Sequence, residues 1–255
     1  MARSISGDSI IDRTVRIFQS FDPDTESMTV SELARRAGLP LSTTSRLVDQ
    51  LSKHGLLSRE DRLVGVGVRM WELASRASPT RGLREVAMPF MEDLHAVVGH
   101  HAQLGVMDHG EVLFLERLTA PQSVVNITQI AGRLPLHASS SGLVLLAHAS
   151  PAEQERALGM PLKRFTEDTI VDPAQLRSLL AEIRRRGFVH CAGHIHPDAT
   201  GIAVPLHDPD GAVVAALAVV VPTDEHSRQH IVAVRTTAAG IRRVMKTQQV
   251  GSSAH

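Results

Sequence analysis

MTVSELARRAGLPLSTTSRLVDQLSKHGLL, residues 28–57, carries two short helical patterns parted by Gly38-Leu39-Pro40. Ser31 stands where an N-cap belongs, ahead of Glu32, Leu33 and Ala34. Gly38 ends that helix, and Pro40 restarts the chain at a first helical turn. A longer helix is expected from about Leu41 to His54, with Leu47, Val48 and Leu51 as its apolar face and Gly55 closing it. With Gly38 at the turn, Ala34 lies four residues earlier, where a small side chain lets two helices cross closely, and Leu33, Ala37 and Leu47 point inward. Thr44 departs from this pattern, since a larger apolar residue is usual there. The stretch reads as a helix-turn-helix.

Upstream, Ile10, Ile11, Val15 and Phe18 share one face of a further helix, and FDPDTESM breaks it into a loop. Downstream, LLSREDRLVGVGVRMWELASRA reads as a strand, a charged turn at Arg59 to Arg62, a second strand and a helix from near Arg69. Helices followed by a two-stranded wing make a winged helix-turn-helix. The second helix of the motif presents Leu41, Ser42, Thr43, Ser45 and Arg46 at its N-terminal end, where such helices meet base edges. Short hydroxyls allow close approach, and Arg46 is long enough for a guanine edge or a phosphate. Between Leu33 and Arg76 there are eight bases and four acids, an excess of positive charge suited to phosphates. The candidate DNA-contacting set is therefore Arg35, Arg36, Leu41, Ser42, Thr43, Thr44, Ser45, Arg46, Lys53, Arg59 and Arg62.

The remainder of the 255 residues follows another pattern. A helix with Leu83, Val86, Met91, Leu94 and Val97 on one face leads into strand-like runs at Ala102 to Met107, Val112 to Arg117, Val124 to Ile130, Ile202 to Pro205 and Val213 to Val221. DHGE and DPDG are hairpin signals, and helical patterns occupy Ser141 to His148 and Pro173 to Gly187. The predicted class is α+β with a mainly antiparallel sheet. Residues 1–77 form the DNA-binding domain with its linking helix, 78–249 the effector and oligomerisation domain, and 250–255 a frayed tail.

Composition excludes several classes. At 43% hydrophobic and 21% charged residues the chain is not disordered, and its longest apolar run, Ala212 to Val221, is half of a membrane span. The N-terminus has no apolar secretory stretch. A single cysteine, Cys191, excludes an intrachain disulfide and suits a reducing cytoplasm. Equal numbers of bases and acids, 27 each, mean that net charge names no partner.

SIIDRTVRIFQSF and the residues 28–57 above resemble the N-terminal domain of the IclR family of bacterial transcriptional regulators. GLREVAMPFMEDL resembles that family's linking helix, HGEVLFLERL its early hairpin, GRLPLHASSSG its central signature, and RGFVHCAGHIHPDATGIAVPLHDPDGAVVAALAV its C-terminal effector signature. The resemblance implies a GAF-like ligand-sensing domain, a homodimer or homotetramer, a double-stranded operator as partner, and control by a small metabolite. It implies neither a cofactor nor catalysis.

Fourteen histidines raise other possibilities. His190, Cys191, His194 and His196 have side chains that suit zinc, but the run reads as extended, so Cys191 points away from His194 and His196 unless the chain bends. Ser139, Ser140 and Ser141 near His137 are the one hydrolase-like cluster, without a G-x-S-x-G elbow. Their simpler role is to cap the helix starting near Gly142 and to offer hydroxyls to a ligand. The alternative to a regulator is thus a metal-binding protein or hydrolase with an incidental helix-turn-helix cap.

In relatives that sense small polar acids, the pocket resembles an acid, a cysteine and two serines around a carboxylate. The matching positions here are Cys191, Gly201, Ala218 and Val220. Losing those partners disfavours small keto acids. Gly201 and Ala218 leave room, Val220, Leu104 and Leu134 supply apolar wall, and Ser139 to Ser141 at a helix N-terminus anchor an anion. With Cys191 and His194, these residues form the expected effector pocket, suited to an aromatic acid such as a hydroxybenzoate.

Overall fold

A computed structural model describes residues 8–252 apart from 23–24, 78–79, 122 and 129. The chain divides into two compact units, Met1–Pro79 and Thr80–His255.

In the first unit, α1 (Ile10–Gln19) opens with a capping box in which Ser9 and Asp12 satisfy each other's backbone amides. The expected loop after it contains a short strand, β1 (Ser27–Thr29), and Pro23 and Asp24 of that loop lie outside the described residues. The N-cap of α2 (Val30–Ala37) is Thr29 rather than Ser31: Thr29 Oγ1 accepts from the Glu32 amide at 3.2 Å. Gly38 takes φ 62°, and the Leu39 amide donates back to the Ala34 carbonyl at 3.0 Å. This left-handed cap needs glycine and turns the chain sharply into α3 (Leu41–Lys53). Strands β2 (Leu57–Glu60) and β3 (Leu63–Val66) form the wing, and β1 makes it three-stranded in the order β1-β3-β2. Helix α4 spans Val68–Ala77. Ile17, Met28, Leu33, Ala37, Leu47, Val48, Leu51, Leu57 and Val64 form the core. That core joins every element from α1 to β3, so the motif and its wing fold around one apolar centre.

The second unit begins with α5 (Thr80–Val98) and the hairpin β4 (His101–Asp108) and β5 (Glu111–Leu118). Its turn places His109 and Gly110 at positive φ, the twist-matched geometry of a two-residue hairpin. Next come β6 (Arg133–Pro135), α6 (Ser140–His148), α7 (Pro151–Leu158) and α8 (Pro173–Arg186). Strands β7 (Val189–Ala192), β8 (Ala199–His207) and β9 (Val213–Pro222) follow, and α9 (His230–Ser252) completes the unit. The six strands form one antiparallel sheet in the order β6-β5-β4-β9-β8-β7.

Alternation in the strands divides the side chains between two layers. Leu104, Ile202, Val204, Leu217 and Val219 pack toward α5 and α9, while Val112, Phe114, Cys191, Ala203 and Ala218 pack toward α6 and α8. β9 is central and buried on both faces, as its continuous apolar run implies.

Several sequence expectations are corrected. Residues 123–128 form no strand and run irregularly beside β4 and β5. Val97 is 72% exposed, and Val98 takes the buried place at the end of α5. Of the tail expected to fray, residues 250–252 lie in α9 and 253–255 lie outside the described residues. No helix among the described residues is long and apolar enough to cross a membrane.

Candidate functional site

The first candidate face lies on α3 and the wing. Leu41, Ser42 and Arg46 are exposed on α3, Thr43 and Ser45 are partly covered, and Lys53 is exposed at its end. Pro40 opens the helix without a side-chain cap. Thr44 is a correction: it is wholly buried, and its hydroxyl donates to the Pro40 carbonyl at 3.1 Å. A threonine fits this inward position because the hydroxyl is satisfied within its own helix, so the residue belongs to the core and not to the reading face. The arginines fall into two groups. Arg36 binds Asp22 at 2.8 Å and Glu32 at 3.2 Å, and Arg59 binds Asp49 at 2.7 Å, while Arg35 stands 3.7 Å from Glu32. Arg46 and Arg62 have no acidic partner among the described residues.

The second candidate site is a cavity of about 50 Å³ between the inner face of the sheet and the start of α6. Its floor is a cross-strand row: Gly201 on β8 pairs with Val220 on β9 and with Cys191 on β7. Gln103 on β4 extends the floor on the far side. Its roof is the N-terminus of α6, where Ser139 Oγ accepts from the Gly142 amide at 3.0 Å. Two glycines bring that roof down. A Cβ on Gly142 would stand 2.4 Å from the Leu136 carbonyl oxygen, and one on Gly201 would stand 2.6 Å from Ser140 Oγ. Neither position tolerates a side chain without displacement.

One wall comes from residues 125–128, which the sequence assigns to a strand. His101 fixes its start, since Nε2 donates to the Val124 carbonyl at 2.7 Å while Nδ1 meets the Thr119 hydroxyl. Farther along, Gln103 donates to the Thr128 hydroxyl, which in turn donates to Asn126 Oδ1 at 2.7 Å. The Thr128 amide also donates to Asn126 Oδ1, at 3.1 Å.

The opposite wall is the bend after β7. Gly193 at φ 73° turns the chain, so Cys191, His194, Ile195 and His196 all line the cavity. Thr166 and Thr169 hold the bend by donating to the carbonyls of Gly193 and His194, both at 2.6 Å. His190 points away and meets Ser227 Oγ at 3.0 Å.

Three residues that line this cavity each carry a buried polar atom without a partner: Ser141 Oγ, His194 Nδ1 and Asn126 Nδ2. Burial holds His194 below the ordinary histidine value, with Asp168 opposing it, so the ring is neutral at pH 7. Burial pushes the Cys191 thiol up to about 12, which leaves it an uncharged wall rather than a nucleophile. His137 gives its ring to the Lys163 carbonyl at 2.9 Å and does not activate the serines. Among the described residues no group of three or more His, Cys, Asp or Glu is arranged to hold a metal.

Of the expected pocket residues, Leu134, Ser139, Ser140, Ser141, Cys191, His194, Gly201 and Val220 meet at the cavity. Leu104 and Ala218 do not line it. Leu104 lies on the other sheet face, under α5 and α9, because β4 alternates and Gln103 takes the inward place. Ala218 shares the face of Val220 but is sealed in the core beneath α6. Gln103, Asn126 and Thr128 were missed. Gln103 had a legible signal, as the polar residue within an apolar strand run.

Two family models match the chain: the IclR helix-turn-helix domain over residues 10–61 and the C-terminal domain of bacterial transcriptional regulator IclR over 76–243. Among solved structures, an IclR homolog from Microbacterium hydrocarbonoxydans complexed with 4-hydroxybenzoate superposes with a TM-score of 0.90 at 45% identity, covering 94% of this chain and 100% of that one. The HTH-type transcriptional regulator BhcR of Paracoccus denitrificans is 33% identical over 199 residues, 77% of this chain and 71% of that protein. The HTH-type transcriptional repressor AllR of Escherichia coli is 28% identical over 244 residues, 92% of this chain and 89% of that protein.

Proposed function

Because the chain belongs to the IclR family of bacterial transcriptional regulators, we propose that it is a ligand-responsive repressor whose effector is an aromatic acid of the hydroxybenzoate class. Its α3 helix and wing bind a pseudo-palindromic operator, two copies of the chain covering two half-sites. The observation that carries the effector assignment is the make-up of the cavity. An apolar floor lies beneath a helix N-terminus, with three buried polar atoms that still lack partners. Each unpaired buried group costs about 1–3 kcal/mol, so a ligand that satisfies them recovers that cost on binding. A keto acid of two or three carbons is too short to reach all three walls. The M. hydrocarbonoxydans homolog, complexed with 4-hydroxybenzoate, supports the same class.

Val125 and Ile127 stand exposed at the rim, where a ring would enter, while the bonds from His101 and Gln103 keep this wall in place. Calorimetry with 4-hydroxybenzoate, glyoxylate and pyruvate tests the assignment. The aromatic acid is expected to bind tightly and the keto acids weakly, and Gly201→Leu, checked for an intact melting transition, is expected to abolish aromatic binding. Tight keto-acid binding, or aromatic binding untouched by Gly201→Leu, would overturn it.

A further inference from the structure

The register of the sheet gives the cavity a direction. β4, β9, β8 and β7 are consecutive neighbours; Gln103 lies opposite Ala218 while Cys191 lies in the row of Gly201 and Val220, so the two stand three strand spacings apart across the sheet and two residues apart along it. The Gln103–Thr128–Asn126 wall belongs to the β4 end, and His194, following Cys191, belongs to the β7 end. Ser140 sits over Gly201 on β8.

The two ends differ in chemistry. On the β8–β7 side are the α6 N-terminus over Gly201, with the unpartnered Ser141 hydroxyl on its first turn, and the unpartnered His194 Nδ1 beyond β7. Helix amides and a ring that gains a proton beside an anion suit a carboxylate. The β4 end is a chain of neutral donors whose sense is fixed. The Thr128 amide can only donate, so the Asn126 atom facing it is the carbonyl oxygen, and Nδ2 is necessarily the free donor. Arg117 reaches this wall, but its guanidinium donates to the Thr128 carbonyl and does not line the cavity.

We infer that Asn126 is the residue that reads the ring's para substituent, donating Nδ2–H to a phenolic oxygen while Ser140, Ser141 and His194 hold the carboxylate. This rests on the aromatic-acid reading above and adds an orientation and a specificity residue to it. The bound acid lies across the strands, and its hydroxyl must be para, since a meta hydroxyl points away from the carboxylate-to-Asn126 axis.

The test is calorimetry with benzoate, 4-hydroxybenzoate, 3-hydroxybenzoate and 4-methylbenzoate on the unaltered protein and on Asn126→Leu. The unaltered protein is expected to prefer 4-hydroxybenzoate to benzoate and to 4-methylbenzoate by about tenfold, the scale of one net hydrogen bond, and to gain nothing from a 3-hydroxyl. In Asn126→Leu that preference falls to near unity while benzoate still binds. The four acids on the unaltered protein keep the inference testable if the variant does not fold. Equal affinities for benzoate and 4-hydroxybenzoate, or a preference that survives Asn126→Leu, would overturn the inference and leave the aromatic reading standing. Failure of every benzoate to bind would overturn both.

Discussion

Arg46 and Thr44 sit two positions apart on one helix and take opposite roles. Thr44 turns inward and satisfies its hydroxyl on the Pro40 carbonyl, while Arg46 turns outward with no acidic partner among the described residues. An unpaired arginine on the exposed side of a recognition helix keeps its full donor fork for DNA. Arg46→Ala is therefore expected to weaken operator binding by about 1–3 kcal/mol and to reduce discrimination between sequences. Arg62→Ala on the wing should weaken all sequences alike and flatten the salt dependence, as loss of a phosphate contact does. Binding isotherms at several salt concentrations separate the two. Unchanged operator affinity for Arg46→Ala would mean that α3 docks differently.

The start of α6 shows how an element makes a pocket. Ser139 caps the helix, and Gly142 lets its first turn settle on the Leu136 backbone. Gly142→Ala forces a Cβ against that backbone, where no flexible side chain can yield, and is expected to destabilise the second unit by about 1–3 kcal/mol. Chemical denaturation measures this, and an unshifted midpoint would show that the close approach is dispensable. The elements most legible in the sequence were those with strong local signals. These are α2 and α3 around Gly38, the Asp108–Glu111 hairpin, the two-face-buried β9, and α8 with its Asp172 cap and closing Gly187. The serines of the pocket roof were legible for the same reason, as a cap ahead of an apolar helix. Residues 123–128 were not, because their β-branched run fits a strand while tertiary hydrogen bonds from His101 and Gln103 hold it as a wall. Leu104 is expected in the pocket as apolar wall. Strand alternation, visible in the sequence, assigns it to the other face.

The second unit as a whole carries a pH dependence. Burial, as the leading cause, holds His101, His190, His194, His207 and His230 below the ordinary histidine value of 6.5. Below that value the unfolded chain binds protons that the folded chain refuses, so stability rises with pH across the interval. The contribution is present in full above about pH 6.5 and is lost as pH falls through the lowered folded values. The melting temperature is expected to be flat above pH 7 and to fall between pH 6.5 and 5. A constant melting temperature from pH 7.5 to 5.5 would contradict this. A carboxylate bound beside His194 raises that histidine's affinity for protons, so effector binding should take up protons as pH approaches 6.

The two units matter to one another only if an acid bound beneath α6 changes the affinity of α3 for DNA. Such coupling is usually worth 5- to 150-fold. Fluorescence anisotropy of labelled DNA from upstream of the protein's own gene, titrated with protein in the absence and presence of saturating 4-hydroxybenzoate, measures it directly. Sequence-specific binding is expected without the acid, and a fall in affinity of at least about tenfold with it, a fall that pyruvate does not produce. Operator affinity indifferent to 4-hydroxybenzoate, or weakened equally by pyruvate, would contradict it.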